Sequence, residues 1–305
     1  MSSRPHLRLP LRPVETATSD AGGREGLLLV DKPAGLTSHD VVAIVRRASA
    51  SRRVGHTGTL DPFATGLLVV LVGRGTRLIP YIDGEPKVYE AVIRFGAETD
   101  TDDSTGETTR EAGPPSAAAV ATGIAQLTGD IMQVPPSYSA KQIDGQRADD
   151  AARRGAALQL EPVGVTVGEW TVLDQRESEL RVRITCGGGT YIRALARDLG
   201  RLTGSAAHLA TLRRTRNGAF RVEDACTLDD IRAGALPLRP LRSAIPALPA
   251  QRLDASERGR VVHGNSIAAQ SDAPRIALVD DEETLIAVAE RSGDELRPTL
   301  VLSDV

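Results

Sequence analysis

A carboxylate held in a glycine-rich loop is the first place where this chain could do chemistry. Asp61 lies in Gly55-His56-Thr57-Gly58-Thr59-Leu60-Asp61-Pro62-Phe63-Ala64-Thr65-Gly66. Pro62 fixes its own φ and biases Asp61 towards an extended backbone. The glycines let backbone and ligand come close. A carboxylate mounted in this way can serve as a nucleophile or as a proton acceptor. An isolated Asp-Pro in such a loop more often only caps a turn, so its partners decide the reading. Two are candidates. Arg193 opens a helix behind a second glycine-rich loop, Gly187-Gly188-Gly189-Thr190-Tyr191-Ile192, and Tyr89 lies on a strand between the two loops in sequence. Metal chemistry has little support: the five histidines are scattered without an HxxxH or HxH pair, and Cys186 and Cys226 lack CxxC spacing. A phosphate loop ending in Gly-Lys-Ser/Thr is absent, as are a GxGxxG turn from strand into helix and a Gly-x-Ser-x-Gly nucleophile turn.

The elements that must position these residues can be read from pattern. The apolar run Leu67 to Val72, bounded by Gly66 and Gly73, predicts a buried strand directly behind Asp61. Leu27 to Val30 is a second short buried strand. Val41, Val42, Ile44, Val45 and Ala48 recur at helical spacing after a cap at Thr37 or Ser38. Lys87 to Phe95 alternates, placing Tyr89, Ala91, Ile93 and Phe95 on one strand face. Leu180 to Cys186 alternates as well. Ile192, Leu195, Ala196 and Leu199 form the buried face of the helix that carries Arg193, and Arg193, Arg197 and Arg201 line one flank of it. The acidic loop Thr99 to Glu107 faintly imitates the start of a calcium loop, but position six is Thr105 instead of Gly. Four prolines between Ala235 and Pro249 mark a linker, and short strands follow, with a helix near Ala255 to Val262.

Composition sets the outer limits. Hydrophobic content of 41% and charged content of 25% fit an ordinary globular protein, and 3% aromatics leaves the core to aliphatic residues. Two cysteines without a framework fit a reducing cytoplasm. No apolar stretch is long enough to cross a bilayer. The tail, residues 1–25, lacks an apolar core region and reads as disordered, not as a secretory signal. A net charge of -3 argues against a uniformly basic surface, although a local basic face remains possible.

These motifs together carry a resemblance. Gly55 to Leu68 resembles the catalytic motif of the TruB family, the tRNA pseudouridine-55 synthases. Leu28 to Gly35 resembles that family's Leu-Asp-Lys-Pro-x-Gly motif, and Lys87-Val88-Tyr89 its Lys-x-Tyr strand. Val134 to Ala140 resembles its Pro-Pro-x-Tyr-Ser-Ala loop. Gly189 to Arg193 and Leu212-Arg213-Arg214 resemble its last two motifs. The resemblance covers about Gly26 to Ile231 in the right order, and the C-terminal part is similar to a PUA-like RNA-binding appendage.

The resemblance implies an α+β fold: a mixed, largely antiparallel sheet flanked by helices, plus a small β-rich unit. The expected layout is a tail at 1–25, a catalytic domain at 26–234, a Pro-rich linker at 235–249 and a PUA-like domain at 250–305. It implies isomerisation of uridine-55 in the tRNA T loop, with no cofactor and no metal. Asp61 matches the essential aspartate, as nucleophile or as acceptor of a sugar proton, and Arg193 the arginine that pairs with it and keeps it ionised. Tyr89 matches the tyrosine that stacks on the target base. His56 matches the residue that fills the space left by the flipped base. Tyr191 and Leu212 would line the pocket. Lys32 would support its loop or contact phosphate. Arg46, Arg47, Arg52 and Arg53, with the flank from Arg193 to Arg201, would form the phosphate-contacting face. The implied partner is the T-arm stem-loop of tRNA, with no protein partner, no membrane and a monomeric, cytoplasmic enzyme. The alternatives are a non-catalytic tRNA-folding chaperone or RNA-binding module, and a synthase acting on another RNA.

Overall fold

The computed structural model describes residues 24–139, 142–143, 146–147 and 160–303. The tail expected at 1–25 lies outside them up to residue 23, as do Ala140 and Lys141 of the proline-containing loop. Glu25 belongs to the folded structure, because its carboxylate makes two 2.7 Å bonds with Arg74.

Ten strands form the main sheet: β1 (Gly26–Lys32), β2 (Val54–Thr57), β3 (Thr65–Val72), β4 (Lys87–Phe95), β5 (Gly129–Gln133), β6 (Val163–Gln175), β7 (Glu179–Cys186), β8 (Ala207–Asn217), β9 (Phe220–Arg221) and β10 (Cys226–Thr227). Their order is β10-β1-β3-β8-β4-β7-β6-β5, with β2 paired to β3 and β9 to β8. Within this sheet, among the described residues, only β1 with β10 and β3 with β8 run parallel. The sheet is therefore mixed and largely antiparallel. The α-helices among the described residues are α1 (Ser38–Ser49), α2 (Ala117–Gln126), α3 (Ile192–Leu202), α4 (Leu228–Arg232) and α5 (Ala255–Val262). Five further strands, β11 (Ala250–Arg252), β12 (Ile267–Ala268), β13 (Arg275–Val279), β14 (Leu285–Ser292) and β15 (Glu295–Val301), make a second sheet in the order β11-β13-β14-β15-β12. No helix among the described residues is long and apolar enough to cross a membrane.

The contrast between β3 and β7 shows why their sequences differ. Both faces of β3 are covered. Leu68, Val70 and Val72 pack with Val41 and Val45 of α1 and with Leu228 and Ile231 of α4. Leu67, Val69 and Leu71 pack with Ala277, Val279, Leu285 and Val288 of the second sheet. A strand buried on two faces needs an unbroken apolar run. In β7, Leu180, Val182, Ile184 and Cys186 face the core with α3, while Arg181 and Arg183 stay exposed. Half-burial gives alternation.

The Pro-rich stretch is bonded in place. Leu27 and Arg239 exchange backbone bonds of 3.0 and 2.8 Å, and Ala244 and Ile245 sit in the core behind Leu27 and Leu29. On the other side of β1, β3 closes against β8 through Gly66, whose φ is +101°. A Cβ there would meet Arg214 O at 2.2 Å. Gly66→Ala should lower stability by about 2 kcal/mol or more, because both the backbone conformation and the contact are wrong. Gly164→Ala, at a position with open space, should stay within about 0.5 kcal/mol. Urea midpoints of the two variants test this.

Candidate active site

Asp61 sits at the head of a tight turn: Asp61 O accepts a bond from Ala64 N at 3.1 Å, with Pro62 at the position where its fixed φ fits. The residues on either side anchor it. Leu60 and Ala64 are buried in the same core as Tyr89 and Leu212. Ser38 Oγ donates to Leu60 O and accepts from Leu60 N at 2.9 Å. Gly35 N donates to Pro62 O at 2.8 Å. Lys32, fully buried, points its ammonium at Pro33 O, Leu36 O and Pro62 O. Those three carbonyls use its three protons. Lys32 is thereby tied to the backbone of the loops on either side of it. Burial lowers the Lys32 pKa to about 8, with Asp61 opposing that shift.

Arg214 holds the other end of the loop. Its side chain is buried and donates to Leu67 O at 2.8 Å and to Gly58 O at 2.9 Å. Arg213 makes a paired 2.9 and 2.7 Å contact with Asp31, and Asn217 donates to Thr57 Oγ1 at 3.2 Å. Strand β8 therefore buttresses the loop along its length.

The expected pair is present. Arg193 Nε donates to Asp61 Oδ2 at 2.9 Å and Nη2 to Asp61 Oδ1 at 3.1 Å, a bidentate contact. Two of the three remaining guanidinium protons go to Thr101 O at 2.9 Å and Tyr138 O at 2.8 Å. Asp103 Oδ2 stands 3.7 Å from Arg193 Nη1. Arg193 is 4% exposed, while about a third of the Asp61 side chain, 34%, faces solvent. The carboxylate is thus the open member of a buried pair. Arg193 does not bring its pKa below the ordinary value. Burial raises the Asp61 pKa, Arg193 opposes this, and nearby Asp103 adds to the rise. Arg193 thus favours the ionised carboxylate, as expected of the pair, against burial and Asp103, which favour the neutral form.

Tyr89 is buried, and burial raises its phenol pKa, with Arg214 opposing that shift and Asp61 adding to it. Leu212 packs in the same cluster. His56 lies on β2 opposite Val70. Burial first, and then His39 and Arg214, lower its pKa, so the ring is neutral near pH 7. Its Nδ1 is buried without a partner, and its ring meets that of His39 edge-on at 5.9 Å. Tyr191 caps α3 and is held through its backbone by Gln133.

The arginine flank of α3 requires a correction. Arg197 is buried and donates to Asp102 Oδ2 and Asp198 Oδ1, both at 2.9 Å, and to Val134 O at 2.8 Å. Arg201 grips Glu98 with both prongs. Arg197 is thus buried against carboxylates, while Arg201, although paired with Glu98, stays exposed. A further exposed basic surface lies elsewhere: Arg46, Arg47, Arg52 and Arg53 are exposed, and none of them forms an ion pair among the described residues. Asp102, Asp103, Gln133 and Arg214 were missed as site residues in the sequence. The regular spacing of Glu98 and Asp102 opposite that of Arg197 and Arg201 was the available signal for the acidic loop.

Comparison with known proteins gives a consistent result. Residues 46–192 match the model of the TruB family pseudouridylate synthase (N terminal domain), and residues 193–244 match the tRNA pseudouridylate synthase B C-terminal domain. The chain is 47% identical over 290 residues to the tRNA pseudouridine synthase B of Thermobifida fusca, covering 92% of this chain and 99% of that one. It is 44% identical over 289 residues to that of Leifsonia xyli, covering 90% and 95%. Among solved structures, its fold is similar to a chain of an H/ACA RNP bound to a substrate RNA containing 2'-deoxyuridine, with a TM-score of 0.69 at 23% identity over 91% of this chain and 85% of that one. A Cbf5-Nop10-Gar1 complex also matches, with a TM-score of 0.69 at 23% identity over 92% and 85%.

Asp102 gives a prediction for stability. Burial raises its pKa to about 6 despite Arg197, above its unfolded value. The folded state therefore holds more protons between about pH 4 and pH 6, and this group's contribution to stability falls as pH rises through that window. Asp102→Asn should remove that slope. Asp102→Ala, which leaves Arg197 Nη1 without its acceptor while Asp198 still balances the charge, should destabilise by about 1–3 kcal/mol at pH 7. Urea titrations from pH 4 to 8 measure both.

Proposed function

The chain belongs to the TruB family of pseudouridylate synthases, and on that premise we propose that it isomerises uridine-55 in the T loop of tRNA, with Asp61 as the reacting group. The observation that carries this reading is the open Asp61 carboxylate locked bidentately to buried Arg193. In the reaction the C1′–N1 bond breaks, the base turns, and C1′ bonds to C5. The C5 proton leaves and N1 regains one, so atoms and electrons balance without an oxidant or group donor.

Two roles are open to Asp61: attack on the nucleotide, or removal of a sugar proton. Both need the ionised carboxylate, and a raised pKa makes it more basic. Arg193 fixes its orientation, so both oxygens keep one defined direction. Tyr89, neutral, offers an aromatic face for the flipped base. Neutral His56, with a free ring nitrogen, fills the space the base leaves. Tyr191 and Leu212 line the pocket, and Lys32 shapes the loop. Phosphates meet Arg46, Arg47, Arg52 and Arg53. Residues 26–234 form the catalytic unit, and 250–305, joined through 235–249, form a PUA-like RNA-binding unit. The enzyme acts alone, as a monomer in the cytoplasm.

Incubating the protein alone with an unmodified T-arm hairpin, tritiated at C5 of uridine, tests this. Release of tritium at the position of uridine-55 is expected. Asp61→Asn should abolish release while RNA affinity stays within about threefold, because the change removes charge and not bulk. Undiminished release would remove Asp61 from the mechanism. Binding without release by the unmodified protein would make it an RNA-binding module. Arg193→Gln should shift the acid limb of the pH-rate profile upward, since Arg193 opposes the raised pKa of Asp61.

A further inference from the structure

Gln133 ends β5 with 1% of its surface exposed, and the reaction as described gives it no task. Its amide faces a single residue. Nε2 donates to Tyr191 O at 3.1 Å, and Oε1 accepts from Tyr191 N at 2.9 Å. This reproduces with a side chain the two-bond exchange that paired strands make with backbone. Tyr191 is the N-cap of α3, and its own side chain makes no capping bond. Helix starts leave N–H groups without partners, and a buried start needs an outside acceptor. Gln133 supplies it at the residue whose carbonyl also accepts the helical bond of Leu195 N at 3.1 Å.

Arg193 follows two residues later, in the first turn. Its two prongs reach Asp61 only while that turn keeps its rotation. The residues after Gln133 fasten the first two turns of α3: Val134 O accepts from Arg197 and Tyr138 O from Arg193. The anchor is thus a segment of chain, with Gln133 at its rigid end on the sheet.

We infer that Gln133 is a positioning residue for the reaction: its amide sets the rotation of the first turn of α3, and so holds Arg193 in bidentate contact with Asp61 and Tyr191 at the pocket wall. This rests on the reading of Asp61 as the reacting group. Both halves of the amide are needed. A carboxylate in its place would still accept from Tyr191 N, but would repel Tyr191 O, and only its protonated form could donate there.

The test compares Gln133→Ala and Gln133→Glu with the unmodified protein on the tritiated hairpin, with Asp61→Asn assayed in parallel. Gln133→Ala should lose about 10- to 100-fold in kcat with KM within about threefold, the pattern of a misplaced group and not of lost RNA contacts. For Gln133→Glu, kcat relative to the unmodified protein should rise as pH falls from 8 to 6. The charged groups on the packed elements, Arg193, Arg197 and Asp102, are present in both proteins. Circular dichroism and thermal midpoints correct for any unfolded fraction. Unchanged kcat in Gln133→Ala, or a flat ratio in Gln133→Glu, overturns the inference. If Asp61→Asn keeps its activity, the reading of Asp61 fails instead. If Asp61→Asn is inactive and both Gln133 variants match the unmodified protein, only the role of Gln133 fails.

Discussion

The contact between Asp61 and Arg193 joins residues 132 apart in the chain, and much of the surrounding structure exists to hold its two ends. A buried guanidinium needs its protons satisfied and its charge balanced. Arg193 meets that demand with one carboxylate and two backbone carbonyls, from three separate segments. The carboxylate end is held just as firmly, by the buried side chains of Leu60 and Ala64 and by the hydrogen bonds of Ser38, Gly35 and Lys32. Burial disfavours the charge that the pair requires, so the site keeps a carboxylate more basic than usual in a fixed direction.

The charges around the pair follow the same logic. Arg197 and Arg201 continue the helix flank behind Arg193 and are met by Asp102 and Glu98. This ladder fastens α3 to the acidic loop and, through Val134 O, to the end of β5. It absorbs positive charge that the sequence offered for RNA. An exposed arginine cluster lies at and just beyond the C-terminal end of α1, beside the strand that carries His56. A protein of net charge -3 can thus present a basic surface in one place.

Much of this was legible in the sequence because local pattern reflects burial. The unbroken run from Leu67 to Val72 and the alternation from Leu180 to Cys186 already stated which strand is covered on both faces. The cap of α1 is Thr37, one of the two residues expected, and it forms a reciprocal capping box with Asp40. Gln133 was not legible, since a glutamine at a strand end carries no periodic signal and its partner is 58 residues away. Arg214 stood in the sequence as part of the Leu212-Arg213-Arg214 motif without a stated role, although it is among the largest fully buried side chains.

By itself, the sequence determined the kinds of chemistry available, the elements that mount them, and, through ordered motifs, the family. Each of these depends on residue type and short-range spacing. The tertiary structure decided which charges face each other. It turned Arg197 inward, paired the exposed Arg201 with Glu98, assigned the protons of Lys32 to carbonyls, and let burial outweigh Arg193 in setting the pKa of Asp61. The energy of a charge depends on its distance to partners and on the water it loses, and neither is written along the chain.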